Sequence, residues 1–176
     1  MALEVQAAAL QWEEGCNIIV GQSHFIKTVE DVERHLKTQV LGIIPQKVRN
    51  LNDPNARVTH SEAYRVLRTN VKSSRRLNDG RVLCVTSASV GEGKTLTLFN
   101  LAYVCAQLGD RVLIVDTDLH RPRQHKLLGV DNAPGVCNVL VGEATIEECI
   151  QSTGQPNLDL LPSGKLQGGS VHGLLD

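Results

Sequence analysis

Ser87-Ala88-Ser89-Val90-Gly91-Glu92-Gly93-Lys94-Thr95 decides how this chain folds. It lies between an apolar run, Val82 to Val85, and a segment of helical spacing, Lys94 to Leu108, with Leu98, Leu101, Ala102 and Cys105 on one stripe. Glycines let main-chain N–H groups come close to an anion, and a helix starting at Lys94 adds the positive end of its dipole. Lys94 supplies a point charge toward the outer phosphates, and the Thr95 hydroxyl is the expected magnesium ligand. The strict pattern G-x-x-x-x-G-K-[ST] has glycine at position 88, where this chain has Ala88. The match is therefore Gly93-Lys94-Thr95 plus its strand–loop–helix context, with Gly91 as a second glycine. The expected ligand is the polyphosphate of ATP or a similar nucleotide. Its contacts come from Ser89, Val90, Gly91, Glu92, Gly93, Lys94, Thr95 and Leu96.

Downstream, Gly109-Asp110 closes the helix, and Val112 to Val115 reads as a second strand, apolar throughout as a strand covered on both faces should be. Strand, helix and strand form one unit with a right-handed crossover. At the carboxyl end of the second strand stands Asp116-Thr117-Asp118-Leu119-His120-Arg121-Pro122. Open α/β sheets bind ligands at that edge, and two carboxylates there suit magnesium binding and activation of a nucleophile. Arg121 and Arg123 are expected to pair with the aspartates or with phosphate, and His120 reads as a solvated loop residue. Gly135 to Leu140 and Ile146 to Ile150 predict short helices, Leu158 to Leu161 a third parallel strand, and Lys165 to Asp176 a glycine-rich end. The expected fold class is α/β of the P-loop NTPase type, a mostly parallel sheet flanked by helices.

Upstream, Thr28 to Leu36 reads as a helix and Val40 to Pro45 as an extended segment. Gln46 to Val58 is polar and reads as a mobile linker. Ser61 to Lys72 reads as a helix capped by Ser61, with Tyr64, Leu67 and Val71 on one face, followed by a turn at Leu77 to Gly80. The apolar fraction, 41%, is ordinary, but aromatics are only 3%, so the core rests on Leu, Val, Ile and Ala. A formal charge of −1 gives no reason to expect nucleic acid as a partner. The five cysteines include no C-x-x-C pair and read as buried reduced thiols, Cys84 and Cys105 inside apolar runs. No apolar run approaches the ~18 residues of a membrane span. The first residues carry Glu13 and Glu14 without a basic stretch, unlike a signal peptide, so the chain is expected to be soluble.

The combination resembles the bacterial protein-tyrosine kinases, P-loop kinases that govern export and chain length of capsular and exopolysaccharides. Val85 to Ala88 with Gly91 to Thr95 looks like their Walker A motif, and Val112 to Asp118 with Arg121 like their second aspartate motif. Glu62-Ala63-Tyr64-Arg65-Val66-Leu67-Arg68 matches an E-x-x-R-x-x-R helix that contacts the neighbouring subunit in ring assembly. Glu30 to Glu33 followed by Val40 to Pro45 resembles the segment after the family's second membrane helix. The resemblance implies ATP and Mg2+ as cofactors, Asp116 as base for a tyrosine hydroxyl, Asp118 and Thr95 as magnesium ligands, and Lys94 as catalytic cation. It implies neighbouring kinase subunits, in a homo-oligomeric ring through Glu62, Arg65 and Arg68, and a membrane polysaccharide co-polymerase as partners. The implied location is cytoplasmic, at the inner face of the plasma membrane through a partner or an upstream membrane region. The division expected is residues 1–22 as an unassigned extension, 23–58 as a juxtamembrane-like segment and linker, and 59–176 as the N-terminal part of a kinase domain.

Three departures qualify the match. Val90 stands where these loops carry proline. The family's Walker B, an apolar strand ending in aspartate, belongs after Leu161-Pro162-Ser163-Gly164, and the chain reaches Asp176 without it. The C-terminal tyrosine cluster is also missing; the two tyrosines are Tyr64 and Tyr103. These departures predict an incomplete, marginally stable sheet with an unpaired central or third strand, weakened metal binding and low or absent phosphoryl transfer. The alternatives are a non-catalytic nucleotide-binding adaptor and a switch ATPase of the Min and Par type, whose signature lysine would stand at Ser89.

Overall fold

The computed structural model describes residues 40–45, 48–53, 58–74, 82–87 and 91–165. The readings made for residues 1–39, for Leu77 to Gly80, for Ser89 and Val90 and for the glycine-rich end beyond Lys165 fall outside the described residues.

Helix α1 spans Val58–Ser74 and α2 spans Lys94–Gln107. Strand β1, Val112–Val115, is followed by three short helices: α3, Gln124–Leu128; α4, Val136–Leu140; and α5, Ile146–Cys149. Strands β2, Gln151–Ser152, and β3, Leu158–Leu161, complete the described elements. The sheet order is β1-β3-β2. β3 runs parallel to β1, with Val112 opposite Leu158 and Val115 opposite Leu161, and antiparallel to β2. The sheet is thus small and mixed, and β3, expected to want a neighbour, is paired on both edges.

Helix α2 is the centre of the packing because it is buried on two sides. Leu101 and Val104 join Leu41, Ile44, Leu51, Tyr64, Leu67 and Val71 in one cluster against α1. Ala102 and Ala106 join Ile114, Leu158 and Leu160 in a second cluster against the sheet. Two alanines one turn apart let the helix axis come close to the strands. The single stripe read from the sequence is therefore corrected: Phe99 and Asn100 are fully buried, while Leu98 and Cys105 are only half-buried.

Four other expectations are corrected. Val82 to Val85 is extended but belongs to no ladder; Leu83 and Val85 pack on the first cluster instead. A strand needs a hydrogen-bonding neighbour, and no described strand pairs with this segment. β1 is covered on one face, leaving Leu113 42% and Val115 41% exposed. The supposed mobile linker is tied down at residues 48–53: Asn100 Oδ1 accepts from the Leu51 amide at 2.9 Å and its Nδ2 donates to the Arg49 carbonyl at 3.1 Å. Helix α1 starts at Val58, so Ser61 lies inside it and is not its cap. Of the cysteines, Cys137 and Cys149 are buried, Cys105 is half-buried and Cys84 is exposed, and all four are unpaired.

The extended segment 40–45 lies on α1: Asn70 Nδ2 donates to the Leu41 carbonyl at 2.8 Å. A Cβ at Gly42 would stand 3.2 Å from Leu67 Cδ1, a tight contact that Leu67 would have to relieve by a few tenths of an ångström.

Candidate functional site

The turn before α2 is built by two left-handed glycines, Gly91 at φ 89° and Gly93 at φ 88°. Other residues rarely adopt that conformation. A Cβ at either would meet nothing within 4 Å, so the backbone torsion, not crowding, calls for glycine. Gly91, Glu92 and Gly93 are exposed, and Lys94, Thr95 and Leu96 are half-buried. The first helical bond runs from the Thr97 amide to the Gly93 carbonyl at 2.8 Å. The amides of Lys94, Thr95 and Leu96 therefore stand ahead of the hydrogen-bond ladder, at the positive end of a 14-residue helix. Such an arrangement offers donors to an anion approaching along the helix axis.

Asp116 ends β1 and is only 5% exposed. Its Oδ1 accepts from the Asp118 amide at 3.2 Å; its Oδ2 accepts from the Arg123 amide at 3.2 Å and the Gln124 amide at 3.1 Å. The carboxylate thus folds residues 117–123 back on themselves and receives the first amides of α3. Asp118, half-buried, accepts from the Arg121 amide on Oδ1 at 3.0 Å. The arginines meet the aspartates through backbone N–H groups, and among the described residues no ion pair joins their side chains to Asp116 or Asp118, which corrects the aspartate half of the expected pairing.

Gln124 connects the two halves of the site, and sequence reasoning missed it. It is 2% exposed, its amide binds Asp116, and its Nε2 donates to the Thr95 carbonyl at 3.0 Å. Its Oε1 is buried without a hydrogen-bond partner. Nothing in its sequence setting, Arg-Pro-Arg-Gln, marks a glutamine as buried. A signal was available for α5, where Thr145-x-x-Glu148 is a capping box: Glu148 Oε2 accepts from the Thr145 amide at 2.8 Å, and Thr145 Oγ1 accepts from the Glu148 amide at 3.3 Å.

The charged row on α1 is engaged within the chain. Arg65 pairs with Glu62 at 2.8 Å, both well exposed. Arg68 turns to Asp110, at 3.0 Å from Nε and 2.7 Å from Nη2, and Lys72 reaches the other oxygen of the same carboxylate at 2.8 Å. Burial pushes the Asp110 carboxyl up, but hydrogen bonds from Lys72 and Arg68 outweigh it and hold it below its ordinary range. Burial also pushes the Tyr64 phenol up, against hydrogen bonds to Asn100 and Thr97.

The left-handed glycine turn, the helix behind it and the aspartate loop at the end of a parallel strand define a P-loop α/β domain. The AAA domain family matches residues 80–168, and the adenosine specific kinase family matches residues 8–46. Tyrosine-protein kinase YwqD of Bacillus subtilis is 37% identical over 107 residues, 61% of this chain and 45% of its own length. Tyrosine-protein kinase wzc of Salmonella typhi is 32% identical over 141 residues, 80% of this chain and 18% of its own length. The solved kinase domain of Escherichia coli tyrosine kinase ETK superposes with a TM-score of 0.71 at 28% identity, covering 80% of this chain and 60% of that one. The chain belongs to the AAA domain family, among the bacterial P-loop tyrosine kinases of the capsule and exopolysaccharide type. It spans less than half the length of these curated relatives.

Proposed function

We propose that the chain forms the nucleotide-binding part of an ATP-dependent, autophosphorylating protein-tyrosine kinase that regulates capsular or exopolysaccharide biosynthesis and export. The observation that carries this is the juxtaposition, through Gln124, of the first turn of α2 with Asp116. In this reading the turn and helix amides from Ser89 to Leu96 and the Lys94 ammonium hold the phosphates and stabilise the charge that spreads over the transferred group. Magnesium would supply electrostatic neutralisation of the outer phosphates. Thr95 and Asp118 are the residues that would hold it, both offering hard oxygen, and Asp118 keeps one oxygen outside its turn hydrogen bond.

Asp116 would accept the proton of the tyrosine hydroxyl. A carboxylate has about four lone-pair positions, and three are taken by amides, so one remains. The acceptor tyrosine would be supplied in trans by a tyrosine-bearing kinase subunit, because Tyr64 of this chain is 1% exposed and Tyr103 lies half-buried on α2. Glu62, Arg65 and Arg68 would meet that neighbour, with a membrane polysaccharide co-polymerase as the wider partner. Arg68 would do so while shared with Asp110.

The same observation about Asp116 favours a second reading. A carboxylate 95% enclosed and bonded to three amides suits a structural part, as in a nucleotide-binding adaptor that transfers nothing. Incubation with γ-labelled ATP and a tyrosine-bearing partner separates the two. Label on tyrosine, falling by about a hundredfold or more in Lys94→Met, is the outcome expected of the kinase. Bound nucleotide with no label and no free phosphate would replace it with the adaptor, and free phosphate alone with a switch ATPase.

A further inference from the structure

Beside the aspartate loop a cavity of about 460 Å³ opens at the surface. Six of the side chains around it are basic: His120, Arg121, Arg123, His125, Lys126 and Lys165. Among the described residues no carboxylate lines it, and neither does any residue from Gly91 to Leu96. Ion pairs among the described residues engage Arg65, Arg68 and Lys72. None engages Arg121, Arg123, Lys126 or Lys165. Four permanent positive charges therefore share one concavity with no ion-pair partner among the described residues, and together they raise the local potential for an anion.

The frame holding these cations is fixed. The Arg121 and Arg123 amides are tied to Asp118 and Asp116. Asn132, which also lines the cavity, is held from two sides: Ser163 Oγ donates to its Oδ1 at 3.0 Å and its Nδ2 donates to the Gly164 carbonyl at 3.0 Å. His125 lines the same space with a buried Nδ1 that has no hydrogen-bond partner. Burial lowers the affinity of this imidazole for a proton, and the charges of Lys126 and Lys165 lower it further, against Asp116. The positive field is felt inside the cavity wall as well as at its rim.

We propose that this cavity is a second anion site, separate from the nucleotide loop, that takes a phosphomonoester carried on an organic group. A carboxylate brings one negative charge, whereas a phosphomonoester brings about 1.5 to 2 and three acceptor oxygens. Arginine forks match those oxygens in pairs. The volume lies within the range of small-molecule sites, roughly 300–1,000 Å³, and leaves room for more than the phosphoryl group alone.

Calorimetric titration of the full chain, with ADP and magnesium saturating any nucleotide site, tests this. Phosphotyrosine, glucose 6-phosphate, tyrosine and sulfate are the probes. Heat with one or both phosphomonoesters and none with tyrosine is expected; the tighter of the two identifies whether the phosphate is borne by tyrosine or by a sugar. The double variant Lys126→Gln/Lys165→Gln, both at exposed positions, should keep the circular dichroism spectrum and bind the phosphomonoester at least about tenfold more weakly. It should still bind nucleotide, whereas Lys94→Met should lose nucleotide and keep the phosphomonoester. No heat with either phosphomonoester, equal binding of sulfate, or an unchanged double variant would each overturn the proposal.

Discussion

At Gly135 the chain passes close against the backbone of Pro162 and Gly164. Gly135 has an extended φ of −165°, so any residue could adopt its torsions. A Cβ there would nevertheless collide with the Pro162 carbonyl oxygen and the Gly164 amide nitrogen. Those partners are backbone, fixed by the Val136 amide on the Pro162 carbonyl and the Cys137 amide on the Ser163 carbonyl, each at 2.8 Å. Gly135→Ala is expected to destabilise the chain by about 2 kcal/mol or more, and a Tm unchanged within a degree would refute this crowding. Lys94, Thr95, Asp116 and Asp118 were picked out as candidates because their proposed chemistry follows a spacing. Gln124, Asn100 and Gly135 were not, because their partners lie 29, 49 and 27 residues away in the chain.

Among the elements, α1, α2, β1 and β3 follow from their apolar periodicity, and each was readable to within a few residues. The short pieces were harder. α3 and β2 offer five and two residues, too few for any period to emerge, and residues 48–53 look like a linker until Asn100 supplies their hydrogen bonds. The pairing of α1 with the end of α2 through Asp110 carries a pH dependence of definite sign. Asp110 titrates below its ordinary range in the folded chain, so its contribution is present above the unfolded carboxylate value and is lost as the pH falls through the folded one. The carboxylate is 33% exposed, and solvent screening reduces the contribution to about 1 kcal/mol. Asp110→Asn should therefore lower Tm by about 2–4 °C at neutral pH, and the gap from wild type should close on acidification. A gap that widens toward low pH would contradict the assignment.

For the whole molecule, the α/β class was readable from the helix and strand that follow the glycine turn, Lys94 to Val115, whereas the place of Val82 to Val85 was not. Sheet membership depends on a neighbour, and neighbours are a property of the assembled sheet. Gln124 leaves the molecule with one mechanical consequence. Its side-chain amide grips the loop helix while its main chain grips the aspartate turn. A tug on either is conveyed to the other through a single residue, with no slack between them. The Gln124 side-chain NH2 resonances should consequently shift when ADP enters, through their bond to the Thr95 carbonyl. Silence from those signals, alongside shifts at Gly91 and Gly93, would mean that the two halves of the cleft move independently.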